Sequence, residues 1–260
     1  FLGWRFVLVI TTILTAIGLA ISWFSMKGIE LPRRAVRVDY LGAFTFTVAV
    51  LSVVIYLILS AVSSWLNYIY LLIIGIASLL AFILIERRVA NPMLDLNLFT
   101  RNVSFMAGNI TALLNYISTY SIPFLFSLYL QTVLGYNPFT AGLILVSEPV
   151  FMAALSPISG RLSDRYGARE IAALGMGLIG VAFIMLLLLN IKCAIYIAVS
   201  LMVLGIGFGF FSAPNTNSVM SSVTADKYGV ASGVLGTMRF MGQLLSITVA
   251  GAILVSYLGR

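Results

Sequence analysis

Long uninterrupted apolar segments dominate this sequence of 260 residues and limit what it can fold into. An α-helix needs about 20 residues to cross the hydrocarbon core of a bilayer, and eight segments approach or exceed that length. They lie near residues 5–25, 40–62, 68–86, 103–131, 138–159, 170–190, 193–213 and 229–257. Backbone polar groups in hydrocarbon must be satisfied within the structure, which a helix achieves by itself. The sequence therefore predicts an all-α polytopic membrane protein with about eight transmembrane helices.

Composition excludes several classes of protein. Hydrophobic residues make up 61% and charged residues 9% of the chain, against about 45–50% and about 25% in soluble domains, so a soluble fold is excluded. Histidine is absent and Cys193 is the single cysteine, which removes the commonest general base and metal ligand and any intrachain disulfide. No catalytic constellation replaces them. We therefore expect no enzyme, no metal site and no cofactor.

The basic residues are distributed unevenly between the two sides of the predicted membrane. A net charge of +7 by itself would suggest binding to nucleic acid. The basic residues lie in loops between spanners, however, which argues against that interpretation. Three loop residues lie on one side and eleven on the other, while Arg239 lies inside a spanner. Because positive loops face the cytoplasm, the richer side is predicted to be cytoplasmic, in a plasma membrane. Its eleven basic residues are Lys27, Arg33, Arg34, Arg37, Arg87, Arg88, Arg101, Arg161, Arg165, Arg169 and Lys227.

The most charged stretch, residues 160–170, predicts a tight cationic turn between two spanners. Gly160 and Gly167 suit a turn because glycine tolerates positive φ and close backbone approach. Asp164 precedes the next apolar helix and is expected to cap its N-terminus. Three arginines, Arg161, Arg165 and Arg169, are expected to pair with Asp164 or to contact anionic headgroups. On charge alone, a generic positive loop at the membrane face remains an alternative.

The pattern G-x-L-S-D-R-x-G-x-R in this stretch resembles the signature loop of the major facilitator superfamily of transporters. Three further segments resemble parts of its fourteen-spanner drug:proton antiporters. Residues 3–6 (G-W-R-F) resemble the start of their sixth spanner, and residues 91–99 (N-P-M-L-D-L-N-L-F) resemble a segment that follows two extra central helices. Residues 229–233, together with Arg239, resemble their penultimate spanner. The resemblance implies an incomplete helical bundle that covers roughly spanners six to thirteen. It also implies export of amphipathic, often cationic molecules, driven by protons through alternating access.

This resemblance assigns an organisation to the chain. Residues 1–25 are the last helix of the first bundle, and residues 26–39 form a cytoplasmic linker. Residues 40–86 form the central extra helix pair, and residues 87–101 form a second cytoplasmic connector with a short helix after Pro92. Residues 102–260 supply five of the six helices of the second bundle. The expected partners are a small-molecule substrate, protons and membrane lipids, and transport is expected to require the absent N-terminal half.

Glu148 is the one acidic residue placed well inside a predicted spanner, about midway along residues 138–159. Ionisable residues inside a membrane are costly and are the first places to look for function. Burial favours the neutral carboxyl, which can ionise when water or a cation reaches it. With no histidine available, Glu148 is the candidate proton carrier, and Pro149 is expected to bend the helix beside it. The alternative is a hydrogen bond to a neighbouring helix with no titration.

Candidate residues for the substrate path lie in the last and the fourth spanner. Arg239 could pair with Glu148, hold an anionic substrate group, or reach toward the cytoplasmic face. Thr111, Asn115 and Ser118 fall at i, i+4 and i+7 and share one face of the fourth spanner. Tyr116 and Tyr120 lie on an adjacent stripe and offer π surface to a cation, and Pro123 is expected to kink this helix. Polar contact between helices is an alternative role for the polar residues.

Other features have structural interpretations. The run Gly205-Ile206-Gly207-Phe208-Gly209 lies inside a spanner with no preceding strand, so we expect helix packing rather than a nucleotide loop. Asn215 and Asn217 follow Pro214 and are predicted to form an interfacial turn. Two rival functions remain: a carrier of a defined metabolite such as a sugar or organic anion, with Arg239 as its ligand, and a truncated membrane protein that does not transport.

Overall fold

A computed structural model describes residues 5–25, 39–62, 65–89, 96–188 and 193–258. It divides the chain into two units, Phe1–Arg37 and Val38–Arg260. In the first unit the described residues form one helix, α1, Arg5–Ser25, as predicted. Nearly all of the predicted linker, the start of the first resemblance segment and residues 91–95 of the second lie outside the described residues.

The described residues of the second unit are mostly helical, and no strand occurs in them. Short 3-10 turns cover Trp65–Tyr68 and Ala225–Lys227, and a π turn covers Tyr129–Val133. The α-helices are α2 Tyr40–Val62, α3 Ile69–Glu86, α4 Leu96–Arg101, α5 Val103–Thr119, α6 Ile122–Leu128, α7 Pro138–Leu145, α8 Ser147–Tyr166, α9 Ala168–Leu187, α10 Ala194–Ser221 and α11 Tyr228–Leu258.

Seven helical stretches in the described residues are long and apolar enough to cross a membrane. They correspond to seven of the eight predicted spanners, and the short helix α4 occupies the predicted second connector. The bounds of α2 match the prediction, and those of α3 match within one residue. The protein is therefore a multi-pass membrane protein, consistent with a plasma-membrane location.

The fourth predicted spanner, residues 103–131, is wrong as a single helix. It divides into α5 and α6 at Tyr120 and Ser121. The backbone N–H of Ser121 donates to the hydroxyl of Ser246 on α11 at 3.0 Å, rather than to its own helix. Pro123 lies in the first turn of α6, where its missing N–H is tolerated. The kink expected near Pro123 is therefore present, and it falls just before the proline.

The fifth predicted spanner, residues 138–159, is broken near its middle and is longer than expected. Helix α7 ends at Leu145, and α8 begins at Ser147 and continues to Tyr166. Pro149 has no N–H to give to the carbonyl of Leu145, which explains why the helix breaks one turn earlier. The predicted bend beside Glu148 is thus a change of helix at Val146.

Helix α10 is the centre of the second unit and packs against α8, α9 and α5. Helix α11 packs against α5 on one side and against α2 on another, and α3 packs against α2. One buried apolar cluster joins α6 to α10 and includes Leu130, Ile179 and Leu201. A second joins the start of α5, the end of α10 and the start of α11, and includes Phe105 and Val219.

Candidate translocation site

The charged stretch 160–170 is mostly helix, which corrects the predicted turn. Helix α8 runs through Gly160 to Tyr166, and α9 begins at Ala168. The connection is Gly167 alone, whose φ of +102° lies in the region that favours glycine. Gly160 is helical and has open space where a Cβ would stand. The prediction that Gly160 forms part of the turn is therefore wrong, and the prediction for Gly167 is confirmed.

Asp164 does not cap α9, because it lies in the last turn of α8. Its Oδ1 accepts a long hydrogen bond of 3.4 Å from the Nδ2 of Asn217 on α10. Within the described residues it forms no ion pair with Arg161, Arg165 or Arg169, and the Arg165 guanidinium instead lies 5.3 Å from the centre of the Tyr166 ring. The acidic residue at the start of α9 is Glu170, whose carboxylate contacts Gly167.

Glu148 lies in the first turn of α8, directly after the break between α7 and α8. Its side chain is half-buried, and its carboxyl oxygens have no hydrogen-bond or ion-pair partner among the described residues. Its backbone contacts Gly205 of α10 so closely that an added Cβ would overlap the carbonyl oxygen of Glu148. Glu148 thus lies at the change of helix between α7 and α8, and its backbone packs against α10.

Arg239 lies at the junction of α5, α10 and α11. Its Nη2 donates to the hydroxyl of Thr216 at 2.5 Å, and its guanidinium lies 6.0 Å from the centre of the Tyr116 ring. That ring meets Phe208 edge-on at 5.3 Å. The Nε of Arg239 is buried with no acceptor in the described part of the chain. The guanidinium of Arg239 therefore lies between an aromatic ring and a hydroxyl, and its Nε–H has no acceptor among the described residues.

The structure does not bring Glu148 and Arg239 together, and no ion pair joins them. Glu148 lies 18 residues before the end of α8, which corresponds to about 27 Å along the helix. Arg239 lies 11 residues after the start of α11, or about 17 Å from that end. Its side chain reaches Thr216, near the end of α10. Of the three predicted roles, the observed contact agrees with a reach toward the predicted cytoplasmic side.

The predicted polar face of the fourth spanner divides into inward and outward residues. Asn115 is fully buried, its Nδ2 donates to the sulfur of Met176 on α9 at 3.2 Å, and its Oδ1 has no partner among the described residues. The Ser118 hydroxyl bonds to carbonyls of its own helix. Tyr120 is exposed. Asn115 therefore contacts a neighbouring helix and Tyr116 belongs to the Arg239 junction, while the Thr111 hydroxyl bonds to the carbonyl of Ala107 in its own helix.

A cavity of about 440 Å³ lies between α5, α9 and α10 at their predicted cytoplasmic ends. Thr111 and Arg169 contribute to its wall, so the structure places these two predicted site residues around one space. Its polar lining residues are Ser104, Thr111, Arg169, Asn215 and Ser218. The cavity gives the predicted cytoplasmic side a polar recess that ends near Met176, the partner of Asn115.

The prediction that Asn215 and Asn217 form an interfacial turn is wrong. Helix α10 continues through Pro214 to Ser221, and Asn215 is buried within it. Its Nδ2 donates to the carbonyl of Gly108 on α5 at 3.1 Å. Asn102, the N-cap of α5, donates to the carbonyl of Ser222 at 2.6 Å. An amide inside an apolar segment was the available signal for Asn215.

Sequence comparisons with known proteins identify the family of this chain. The family model of the Major Facilitator Superfamily matches residues 1–247. The multidrug resistance protein Stp of Mycobacterium tuberculosis is 28% identical over 98% of this chain and 48% of its own length. The quinolone resistance protein NorB of Staphylococcus aureus is 26% identical over 97% of this chain and 55% of its own length.

A third relative is named for a different role. The riboflavin transporter RibZ of Clostridioides difficile is 31% identical over 65% of this chain and 38% of its own length. The chain spans about half the length of the first two relatives. With the family model covering nearly the whole chain, the transmembrane helices and the loop motif have one common explanation: this chain belongs to the major facilitator superfamily of membrane transporters.

Proposed function

We propose that this chain is part of a proton-coupled exporter of amphipathic or cationic small molecules that works by alternating access. The observation that carries the proposal is Glu148, a carboxyl inside a membrane span with no partner among the described residues. Ionisable groups in such positions mark ion and substrate pathways in membrane proteins. The names of two relatives, a multidrug and a quinolone resistance protein, support export of drug-like molecules.

The mechanism we propose is competition between a proton and a cationic substrate at Glu148. Inside a membrane, a charged carboxylate that has no partner is costly. When an organic cation approaches, the ionised form gains a partner and the proton leaves. Because the Glu148 side chain is only half-buried, a ligand from outside its own helix can reach the carboxyl. Loading of substrate therefore releases a proton, and return of a proton releases substrate.

The proposed latch between the two conformations lies at the other end of α8. Asp164 of α8 and Asn217 of α10 meet there through the 3.4 Å contact. A bond of this length is weak, so it can open without a large cost. Arg165 and Arg169 lie beside Asp164 and offer it alternative partners when the helix ends separate. Transport itself requires more helices than this chain supplies, so these roles refer to a complete transporter that contains it.

The test is efflux of a fluorescent lipophilic cation from vesicles, driven by a proton gradient. The complete transporter is compared with its Glu148→Gln variant, which keeps the shape of the side chain and removes its charge. Asp226→Asn is the matched control, since it removes an exposed carboxylate just before α11. We expect at least a tenfold loss for Glu148→Gln and little change for the control. Normal efflux by Glu148→Gln would place the proton site elsewhere.

A second candidate function is a carrier of an organic anion, which the geometry of Arg239 favours. Its buried Nε has no acceptor among the described residues, and a carboxylate could take that donor while an aromatic group stacks on Tyr116. The riboflavin transporter among the relatives supports a defined metabolite. The discriminating variant is Arg239→Lys, which keeps the charge and loses the planar fork. Loss of anion transport with unchanged efflux of the cationic dye would favour this second function.

A further inference from the structure

Two apolar cavities lie between the α2–α3 pair and α11, and both contact Phe46. The wider one, about 270 Å³, lies against residues 229–238 of α11 and also contacts Phe82 of α3. The narrower one, about 130 Å³, lies against residues 241–245 of α11 and also contacts Gly75 of α3. These two cavities are called the α11 groove below.

The α11 groove is longer than one leaflet of the bilayer. Its wall on α11 extends from Gly229 to Leu245, which corresponds to about 24 Å along the helix axis. The hydrocarbon core is about 30 Å thick, so a groove of this length crosses one leaflet and passes the midplane. The wider end lies at the start of α11 and near the end of α3, which is the predicted cytoplasmic side.

The lining of the α11 groove is apolar. Its one polar side chain is Thr237, whose hydroxyl donates to the carbonyl of Gly233 at 2.9 Å and so offers no free hydrogen to a ligand. An apolar space does not hold water well, and an empty space loses the dispersion contacts of its lining. Surrounded by a bilayer, such a groove is filled most favourably by a hydrocarbon chain.

Basic residues flank the wide end of the α11 groove. Arg87 and Arg88 follow the last turn of α3 and are exposed, with no ion pair among the described residues. Lys227 precedes α11 on the opposite wall. The nearby carboxyl of Glu86 is buried and lies beside Gly42, so it does not face the surface. Arginines bind phosphate groups in a two-pronged geometry, and the cytoplasmic leaflet carries anionic lipids.

We propose that an anionic phospholipid of the cytoplasmic leaflet occupies the α11 groove. One acyl chain lies between the α2–α3 pair and α11, and the phosphate binds Arg87 and Arg88. The lipid then supplies packing that the protein lacks at this contact. The position of the α2–α3 pair against α11 thus depends on the lipid composition of the membrane, whatever the transporter carries.

Native mass spectrometry of the complete transporter in detergent tests this, with added phosphatidylglycerol or phosphatidylcholine as the probe. Gly233→Leu should fill the wide cavity, because a Cβ at Gly233 meets nothing within 4 Å. The matched control is Gly251→Leu, which also meets nothing within 4 Å. It lies five helical turns further along the same face of α11 and outside the groove. We expect Gly233→Leu to lose one tightly bound phosphatidylglycerol and Gly251→Leu to keep it.

The headgroup is tested with a double variant, Arg87→Gln and Arg88→Gln. Each basic residue near an anionic surface contributes about fivefold to binding, so we expect binding of phosphatidylglycerol to fall about thirtyfold. Arg5→Gln with Lys192→Gln, two basic residues on the predicted opposite side of the membrane, is the control for the change in net charge, and it should keep the lipid. Phosphatidylcholine should bind more weakly to the wild type and be insensitive to both double variants.

Three results would overturn the proposal. Retention of phosphatidylglycerol by Gly233→Leu would place the lipid elsewhere. Equal binding of phosphatidylcholine and phosphatidylglycerol, with no effect of the arginine variants, would remove the phosphate site. Absence of any tightly bound lipid from the folded wild type would mean that another part of the transporter covers the groove. Thermal unfolding of each variant confirms that it is folded, so a lost lipid cannot be ascribed to a lost fold.

Discussion

The contact between α8 and α10 and the contact between α2–α3 and α11 are both lined with glycine, yet they pack in opposite ways. At Gly205 the backbones of α8 and α10 touch, and an added Cβ would overlap the carbonyl of Glu148. At Gly233 a Cβ would meet nothing within 4 Å. The first contact has no space for a methyl group, and the second leaves an open groove.

Hydrogen bonds between helices also distinguish the α8–α10 contact from the contact at α11. The Ser159 hydroxyl of α8 donates to the carbonyl of Gly209 on α10 at 2.7 Å, in a fully buried position. The Ser147 hydroxyl, which donates to the carbonyl of Ile144 at 2.6 Å, also lies 3.4 Å from the carbonyl of Ala198 on α10. We infer that α8 and α10 stay together along the segment from Glu148 to Ser159, and that only their ends, at Asp164 and Asn217, separate. The looser contact at α11 can adapt its packing, and lipid can fill it.

The largest expected effect is at the tight contact. Gly205→Val should destabilise the protein by about 3 kcal/mol, because the added side chain forces α8 and α10 apart in a well-packed site. The loss of stability is measured by thermal unfolding in detergent, with the fraction of folded protein recorded as the temperature rises. A melting temperature equal to that of the wild type would show that the contact between the backbones is not rigid.

The next effect separates the two glycines of the loop motif. Gly167→Ala should cost about 1–3 kcal/mol, because alanine is strained at a φ of +102°. Gly160→Ala should stabilise α8 by about 0.5–1 kcal/mol, since Gly160 is helical with open space around it. The same unfolding measurement compares both variants. Equal effects of the two substitutions would contradict the observed extension of α8 through residue 160.

A smaller effect concerns the buried hydrogen bond between the two helices. Ser159→Ala should cost about 1 kcal/mol, because the donor to the carbonyl of Gly209 is lost. Ser156→Ala is the matched control, since the Ser156 hydroxyl bonds to the carbonyl of Met152 in its own helix. Equal unfolding temperatures of the two variants would mean that the bond between the helices adds no stability.

The smallest effect is expected at the loose contact. Gly233→Leu should change stability by less than about 1 kcal/mol in detergent, and in the stabilising direction, because leucine favours helix more than glycine does. Gly205→Leu in the same assay is the reference and should unfold the protein or strongly destabilise it. A similar loss at both positions would remove the distinction between the tight and the loose contact.

The sequence predicted the elements that depend on local composition. The bounds of α1 and α2 follow from uninterrupted apolar runs, and these were correct. The break at Ser121 depends on the hydroxyl of Ser246, which is 125 positions away in the chain. No local pattern reveals such a partner, so the fourth spanner was predicted as one helix.

Prediction of the candidate site from the sequence is limited in the same way. Glu148 could be identified because a carboxyl in an apolar segment is rare. Asn215 was misplaced because its partner, the carbonyl of Gly108, belongs to another helix. The cap of α9 was assigned to Asp164 because the apolar run ends before Gly160, whereas the helix continues past it. Loss of hydrophobicity marks the membrane boundary, and the helix itself ends where Gly167 adopts positive φ.

The most direct test of the central claim is proton release on substrate binding. The complete transporter is mixed with a lipophilic organic cation in weakly buffered solution that contains a pH indicator. The account predicts that about one proton leaves for each cation bound, that Glu148→Gln releases none, and that Asp226→Asn behaves as the wild type. If Glu148→Gln binds the cation and still releases a full proton, Glu148 is not the proton carrier.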